Sequence, residues 1–203
     1  MKKLLLVLAV FYSLNTIHAQ CGAPQSSIDL QGNNIRARIL NGGDLFTDFN
    51  SGQFIPNENP DPDIKSASTI FTAGLWMGGV DAAGNLKVAA VHYRNPLGTD
   101  YSAGPLGLDG VTDAVNCSNW DRMFRVTGTE IAAFKAALPM SEAQAILQFP
   151  GIMGWPANGN NTFSTVWGFD LPSDPPMEIL APFSDVNHDG HYQPLEGDYP
   201  AVQ

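Results

Sequence analysis

The residues whose order most strongly suggests chemistry lie near the end of the chain, in Asp185-Val186-Asn187-His188-Asp189-Gly190-His191-Tyr192-Gln193-Pro194-Leu195-Glu196. Side-chain oxygens at positions 1, 3 and 5, a glycine at 6 and a glutamate at 12 form the twelve-residue pattern that wraps oxygens around calcium. In that reading Asp185, Asn187 and Asp189 converge on one cation and Gly190 allows the sharp turn. His191 offers its backbone carbonyl, Gln193 a side-chain or water contact, and Glu196 both carboxylate oxygens; Asp198 stands ready to replace or assist Glu196. Hard oxygen donors favour calcium over a transition metal. His188 and His191, at loop positions 4 and 7, point outward, and the oxygens around them suit a tetrahedral nitrogen site for zinc poorly.

An EF-hand would carry a helix on each side of this loop. Pro172, Pro175, Pro176 and Pro182 precede it, Pro194 sits inside it, and Gly197 and Pro200 follow. Proline removes helix donors, so the expectation is an isolated calcium loop that stiffens an extended Pro-rich segment. Elsewhere no nucleophile elbow, no HExxH and no Gly-rich phosphate loop occurs. His92, beside Tyr93 and Arg94 at a strand end, reads as structural or exposed. Trp76, Trp120, Trp155 and Trp167 raise the alternative of a carbohydrate-binding module, although Trp76, in an apolar strand, reads as core.

Composition narrows the classes further. The 203 residues carry 20 Asp+Glu against 10 Lys+Arg, a net charge of −10 that argues against a phosphate-backbone binder. No Lys or Arg follows Lys135, whereas eight acids do, the calcium-loop acids among them. Lys2 and Lys3, the apolar run Leu4 to Leu14 and the small-residue end at Ala19 read as a secretory signal peptide over residues 1–19. An apolar core that short does not span a bilayer, and the mature chain offers no longer one. A lipid anchor on Cys21 is the alternative, disfavoured because Gln20 precedes it. Export makes Cys21 and Cys117 potential disulfide partners; two unpaired thiols are the other reading.

The elements that must position these groups are short and turn-rich, as 20 Gly and 15 Pro imply. Alternation in Ile35 to Ile39 predicts a half-buried strand, Leu45 to Phe49 a second, and Thr69–Met77 with Leu86–Tyr93 a hairpin around Gly78 to Asn85. Asn50 to Asp63, with three prolines, reads as an exposed loop. Thr127 with Glu130, and Ser141 with Gln144, are spaced as capping boxes ahead of apolar residues and predict two short helices. Gly151 to Asn161 reads as an irregular loop, and Phe163, Trp167 and Phe169 as one more strand. The expected fold is mainly β: a β-sandwich-like or irregular β-rich domain over residues 20–180, with two short helices and a terminal calcium loop in a Pro-rich segment, 181–203.

Five stretches carry a resemblance: Asn33-Asn34-Ile35-Arg36-Ala37-Arg38-Ile39, Gly42-Gly43-Asp44-Leu45, Ala73-Gly74-Leu75-Trp76-Met77-Gly78-Gly79, Trp120-Asp121-Arg122, and Asp185 to Pro200. Together, over about Asn33 to Pro200, they resemble the amino-terminal region of large exported proteins of Bacteroidota that end in a type IX secretion sorting domain. The resemblance implies export across the outer membrane and a secreted or cell-surface role, often with adhesive β-sandwich repeats further on, and no assigned activity. Similar proteins continue past the position of Gln203, so the chain is expected to be a fragment. The functional expectation is a non-catalytic, calcium-stabilised module for adhesion or scaffolding, with the front end of a secreted hydrolase as a further alternative. Its expected partners are calcium and an extracellular glycan or surface protein.

Overall fold

The computed structural model describes residues 21–32, 34–61, 64–91, 100–107, 111–172 and 180–201. The signal peptide, His92 with Tyr93 and Arg94, and Pro175 and Pro176 lie outside these. The chain forms two compact units, one from residues up to Gly104 with Val111–Arg122, the other from 105–107 and Met123 onward.

In the first unit β1 (Ser27–Gly32) pairs antiparallel with β2 (Ile35–Leu40), Asp29 opposite Arg38 and Ser27 opposite Leu40. In β2 Ala37 and Leu40, on opposite faces, are buried, both arginines are half-buried and Ile35 is exposed. Asp29 accepts from Arg38 Nε at 2.7 Å and Nη2 at 2.9 Å, a forked pair directly across the ladder. Arg36 reaches Glu58 at 2.7 Å and Asp29 at 3.3 Å. The sheet is completed by β3 (Asp44–Leu45), β4 (Phe54–Ile55) and β5 (Ala73–Gly74). The strand expected over Leu45–Phe49 stops after Leu45, because Phe46 and Phe49 adopt left-handed φ of 65° and 68°. Conversely, the loop expected from Asn50 contributes β4, whose two residues pair with Ala37 and Arg36. Pro56 comes only after them, so both donors survive.

The hairpin of β6 (Trp76–Val80) and β7 (Leu86–Ala90) keeps its register from Trp76 opposite Ala90 to Val80 opposite Leu86. Its strand runs through Gly78 and Gly79, and the reversal is confined to Asp81–Asn85, where Asp81 N donates to Asn85 O at 3.0 Å. Trp76 is not core. It is 73% exposed, with its indole N–H donating to Val91 O at 3.1 Å. An apolar strand sequence signals burial only if a second layer covers it, and both faces of this hairpin are open along β6. A helix that the spacing did not announce, α1 (Ala114–Trp120), starts at Asp113, whose carboxylate accepts from Asn116 N at 2.7 Å.

The second unit is built on helices. In α2 (Gly128–Ala137) and α3 (Glu142–Gln148) both capping boxes form as their spacing predicts, with Glu130 accepting from Thr127 N at 2.7 Å and Gln144 from Ser141 N at 3.2 Å. Then come α4 (Pro150–Met153) and α5 (Phe163–Trp167). The last replaces the strand expected there. Phe163, Val166 and Trp167 stand at i, i+3 and i+4, one face of a helix, and Gly168 at φ 80° ends it by donating to Ser164 O. Ile131, Phe134, Ala145, Ile152 and Met153 form the core, with Val126, Phe149, Leu195 and Tyr199 against it. Strand and helix thus hold nearly equal shares of the described residues, as small antiparallel sheets and five α-helices, rather than a mainly β fold with two.

Candidate functional site

The loop from Asp185 to Glu196 is closed at its base by a short antiparallel ladder, β8 (Phe183–Ser184) with β9 (Tyr199–Pro200). Among the described residues no helix flanks it directly; a 3-10 turn, Pro194–Glu196, lies inside it. The back of the loop is packed into the second unit. Tyr192 is 1% exposed, stacks edge-on to Phe183 at 5.3 Å, and donates its hydroxyl to Ile152 O at 2.9 Å. Burial pushes the Tyr192 phenol well above its usual range, so it remains a donor. Leu195 and Tyr199 join the helical core, and Lys135, after which no Lys or Arg follows, sits over the Tyr199 ring at 3.9 Å.

The front of the loop presents oxygens. Asp185 folds it from within, accepting from His188 N at 2.7 Å and Gly190 N at 2.8 Å. These N–H groups, Gly190 first, hold the Asp185 carboxyl below the usual carboxylate range. Gly190 and His188 take left-handed φ of 79° and 62° to make the bend. Asp189 accepts from His191 N at 2.8 Å. Asn187 Nδ2 donates to Asp189 Oδ2 at 3.0 Å and Glu196 Oε2 at 3.3 Å, so the ends of positions 3, 5 and 12 meet at one point.

Gln193 reaches the same point in either of two orientations. In one, its oxygen accepts from Asn187 Nδ2 at 3.3 Å while facing the carboxylates of Glu196 and Asp189. In the other, its nitrogen donates to Glu196 Oε2 at 2.8 Å and to Glu196 Oε1 and Asp189 Oδ2 at 3.3 Å. The second satisfies both the amide nitrogen and the carboxylates it faces. The convergent set is Asn187, Asp189, Gln193 and Glu196; Asp185 turns its carboxylate to the His188 and Gly190 N–H groups instead, and the His191 carbonyl is adjacent only in sequence. Among the described residues no three His, Cys, Asp or Glu side chains group closely enough to hold a metal by themselves, so a cation here would depend on the amide and carbonyl oxygens as well.

Asp198 does not belong to that front. It is 1% exposed, and its oxygens accept from Val186 N and Gln193 N, each at 2.8 Å. Position 198 therefore ties the two limbs of the loop together instead of offering a ligand. Spacing alone does not separate these roles; burial does. The sequence reading also missed the loop before α5 as a support. Asn158 Nδ2 donates to Gly190 O at 2.9 Å and Asn158 O accepts from Tyr192 N at 2.7 Å. Gly159, at φ 75°, passes so close to the His191 ring that a Cβ would collide with it. The Asn-Gly pair at 158–159 was the available signal for such a turn.

In the first unit Cys21 and Cys117 are joined in a disulfide, their Cα atoms 5.8 Å apart. Beside it the Asp121 carboxylate accepts from Gln25 N at 2.8 Å and Ser26 N at 2.9 Å, and Asn41 Nδ2 donates to Trp120 O at 3.1 Å. The described start of the chain is therefore held by a covalent link and a carboxylate clamp. Among the four tryptophans, Trp120 is buried, and the indole N–H groups of Trp155 and Trp167 are taken by Pro182 O and Gly154 O.

No protein-family model matches this chain, and neither does any curated protein or solved structure.

Proposed function

We propose that this chain is a non-catalytic, calcium-stabilised module of a secreted or cell-surface protein, with a role in adhesion or scaffolding. The observation that carries the reading is the meeting of Asn187, Asp189, Gln193 and Glu196 side-chain ends at the front of a loop whose back is fixed by Tyr192, Leu195 and Asp198. Calcium accepts six to eight oxygens in a flexible shell, which suits a mixed set of carboxylates, amides and a carbonyl. Bound there, the ion would neutralise the local excess of acid and lock the loop onto the helical core. Its contribution would be mechanical: a cation clamp on an extended segment, as suits a module exposed outside the cell.

The test is calorimetric. Millimolar calcium is expected to raise the melting temperature of the second unit, and magnesium, which tolerates irregular shells poorly, to do so less. Titration with no bound calcium and no shift in melting temperature would refute the reading.

A further inference from the structure

We propose that β6 is a self-pairing edge, through which two copies of this chain join their hairpins into one four-stranded antiparallel sheet. The argument begins with hydrogen-bond phase. Asp81 N donates to Asn85 O, and in an antiparallel ladder bonded and non-bonded pairs alternate. Gly79–Lys87 and Met77–Ala89 therefore bond within the hairpin, while the N–H and C=O groups of Trp76, Gly78 and Val80 point away from β7. The opposite edge obeys the same phase: Ala90 N donates to Asp100 Oδ2 at 3.0 Å and Ala90 O accepts from Asp100 N at 3.1 Å. Asp100 thus blocks the β7 edge at Ala90. Along β6 every residue is exposed, and among the described residues nothing caps the outward groups of Gly78 and Val80.

Natural edge strands are protected by charge, proline or a bulge. β6, Trp-Met-Gly-Gly-Val, has none of these. A two-stranded hairpin is also marginal by itself, and this one exposes Trp76 at 73%, Val80 at 72% and Leu86 at 73%. The strand is complementary to itself. With Gly78 facing Gly78 of a second copy across a two-fold axis, Trp76 lies opposite the second copy's Val80, an aromatic and β-branched pair of the favoured kind. On the other face Met77 lies opposite the second copy's Gly79, large against absent. All three outward-facing residues are then in bonded pairs, so one two-fold contact uses up the β6 edge of both copies. Five residues a side bury much less than the roughly 1,600 Å² of a standard interface, so the dimer is weak and reversible.

The test is sedimentation of the chain from about 1 to 500 μM, a span chosen for weak interfaces, with three variants at two glycines that tolerate a side chain. A Cβ at Gly78 meets nothing nearer than Lys87 O at 3.8 Å, and one at Gly79 nothing within 4 Å. Wild type is expected to pass from monomer to dimer. Gly78→Lys, which places two like-charged side chains directly opposite on Cα atoms about 5.5 Å apart, is expected to weaken dimerisation at least tenfold with its melting temperature in dilute solution unchanged. Under glutathione disulfide, Gly78→Cys is expected to cross-link between copies, since that separation is within disulfide reach, and Gly79→Cys is not. A monomer throughout, an open-ended series of larger species, an unchanged dimer in Gly78→Lys, or equal cross-linking at both positions would each overturn the proposal.

Discussion

Substituting Asn at Asp198 and Gln at Glu196 separates the loop's scaffold from its proposed cation. Asp198 is almost wholly buried and accepts from two backbone N–H groups at 2.8 Å. In Asp198→Asn one oxygen remains, but an NH2 group faces the second N–H, donor against donor. The loss combines one charge-assisted bond, about 1.5–3 kcal/mol, with a buried donor left unpaired, about 1–3 kcal/mol. A net loss of about 3 kcal/mol follows, roughly 15 °C in the melting temperature of a unit of this size. It is expected in EDTA as much as in calcium, because both bonds are to backbone N–H groups and involve no ion. Glu196, by contrast, is exposed. Glu196→Gln is expected to melt in EDTA within about 0.5 kcal/mol of wild type and to lose most of the calcium-induced rise, itself about 2.7 kcal/mol at a hundredfold excess over Kd. Calorimetry of both variants in both buffers is the assay. If Asp198→Asn melts like wild type in EDTA, or Glu196→Gln loses as much as Asp198→Asn there, the division of labour argued here is wrong.

Two predictions concern the first unit. Asp29 is held below the usual carboxylate range, chiefly by its hydrogen bonds to Arg38, so the folded value lies under the unfolded 3.8; its stabilisation is complete above that value and disappears as pH falls through the lower, folded one. Asp29→Asn should therefore lower the urea midpoint at neutral pH and flatten its fall in acid, and a variant whose acid limb matches wild type would refute this. Reducing the Cys21–Cys117 bridge, which spans 96 residues, should cost the unit about 4–5 kcal/mol in the chain-entropy model; an unchanged urea midpoint under reductant would refute it.

How far the fold could be read from residues depended on the range of the interaction. The capping boxes at Thr127 and Ser141 are local: donor and acceptor lie three residues apart, and both formed. Strand β2 was legible for the same reason, its alternation being complete within six residues. Trp76 failed because burial is decided by what lies across from a strand, and an apolar strand reads the same with or without a covering layer. The segment Phe163 to Phe169 failed on period. Aromatic content suggested a strand, while the spacing of Phe163, Val166 and Trp167 already fitted a helix that Gly168 could end.

At the loop the pattern located the oxygens but could not rank them. Asp185, Asp189, Glu196 and Asp198 are alike in type, yet they do three different things: Asp185 folds the turn by accepting from Gly190 and His188, Asp189 and Glu196 face the convergence point, and Asp198 spends both oxygens on backbone donors. What separates them is which donors the rest of the unit brings near. That depends on Tyr192 being drawn into the helical core, because its insertion turns Gln193 N toward Asp198 and leaves the Glu196 side chain outside. A hydrophobic anchor thus sets which carboxylates face the convergence point, and Tyr192, which offers no oxygen there, becomes the residue on which the geometry of the proposed cation site depends.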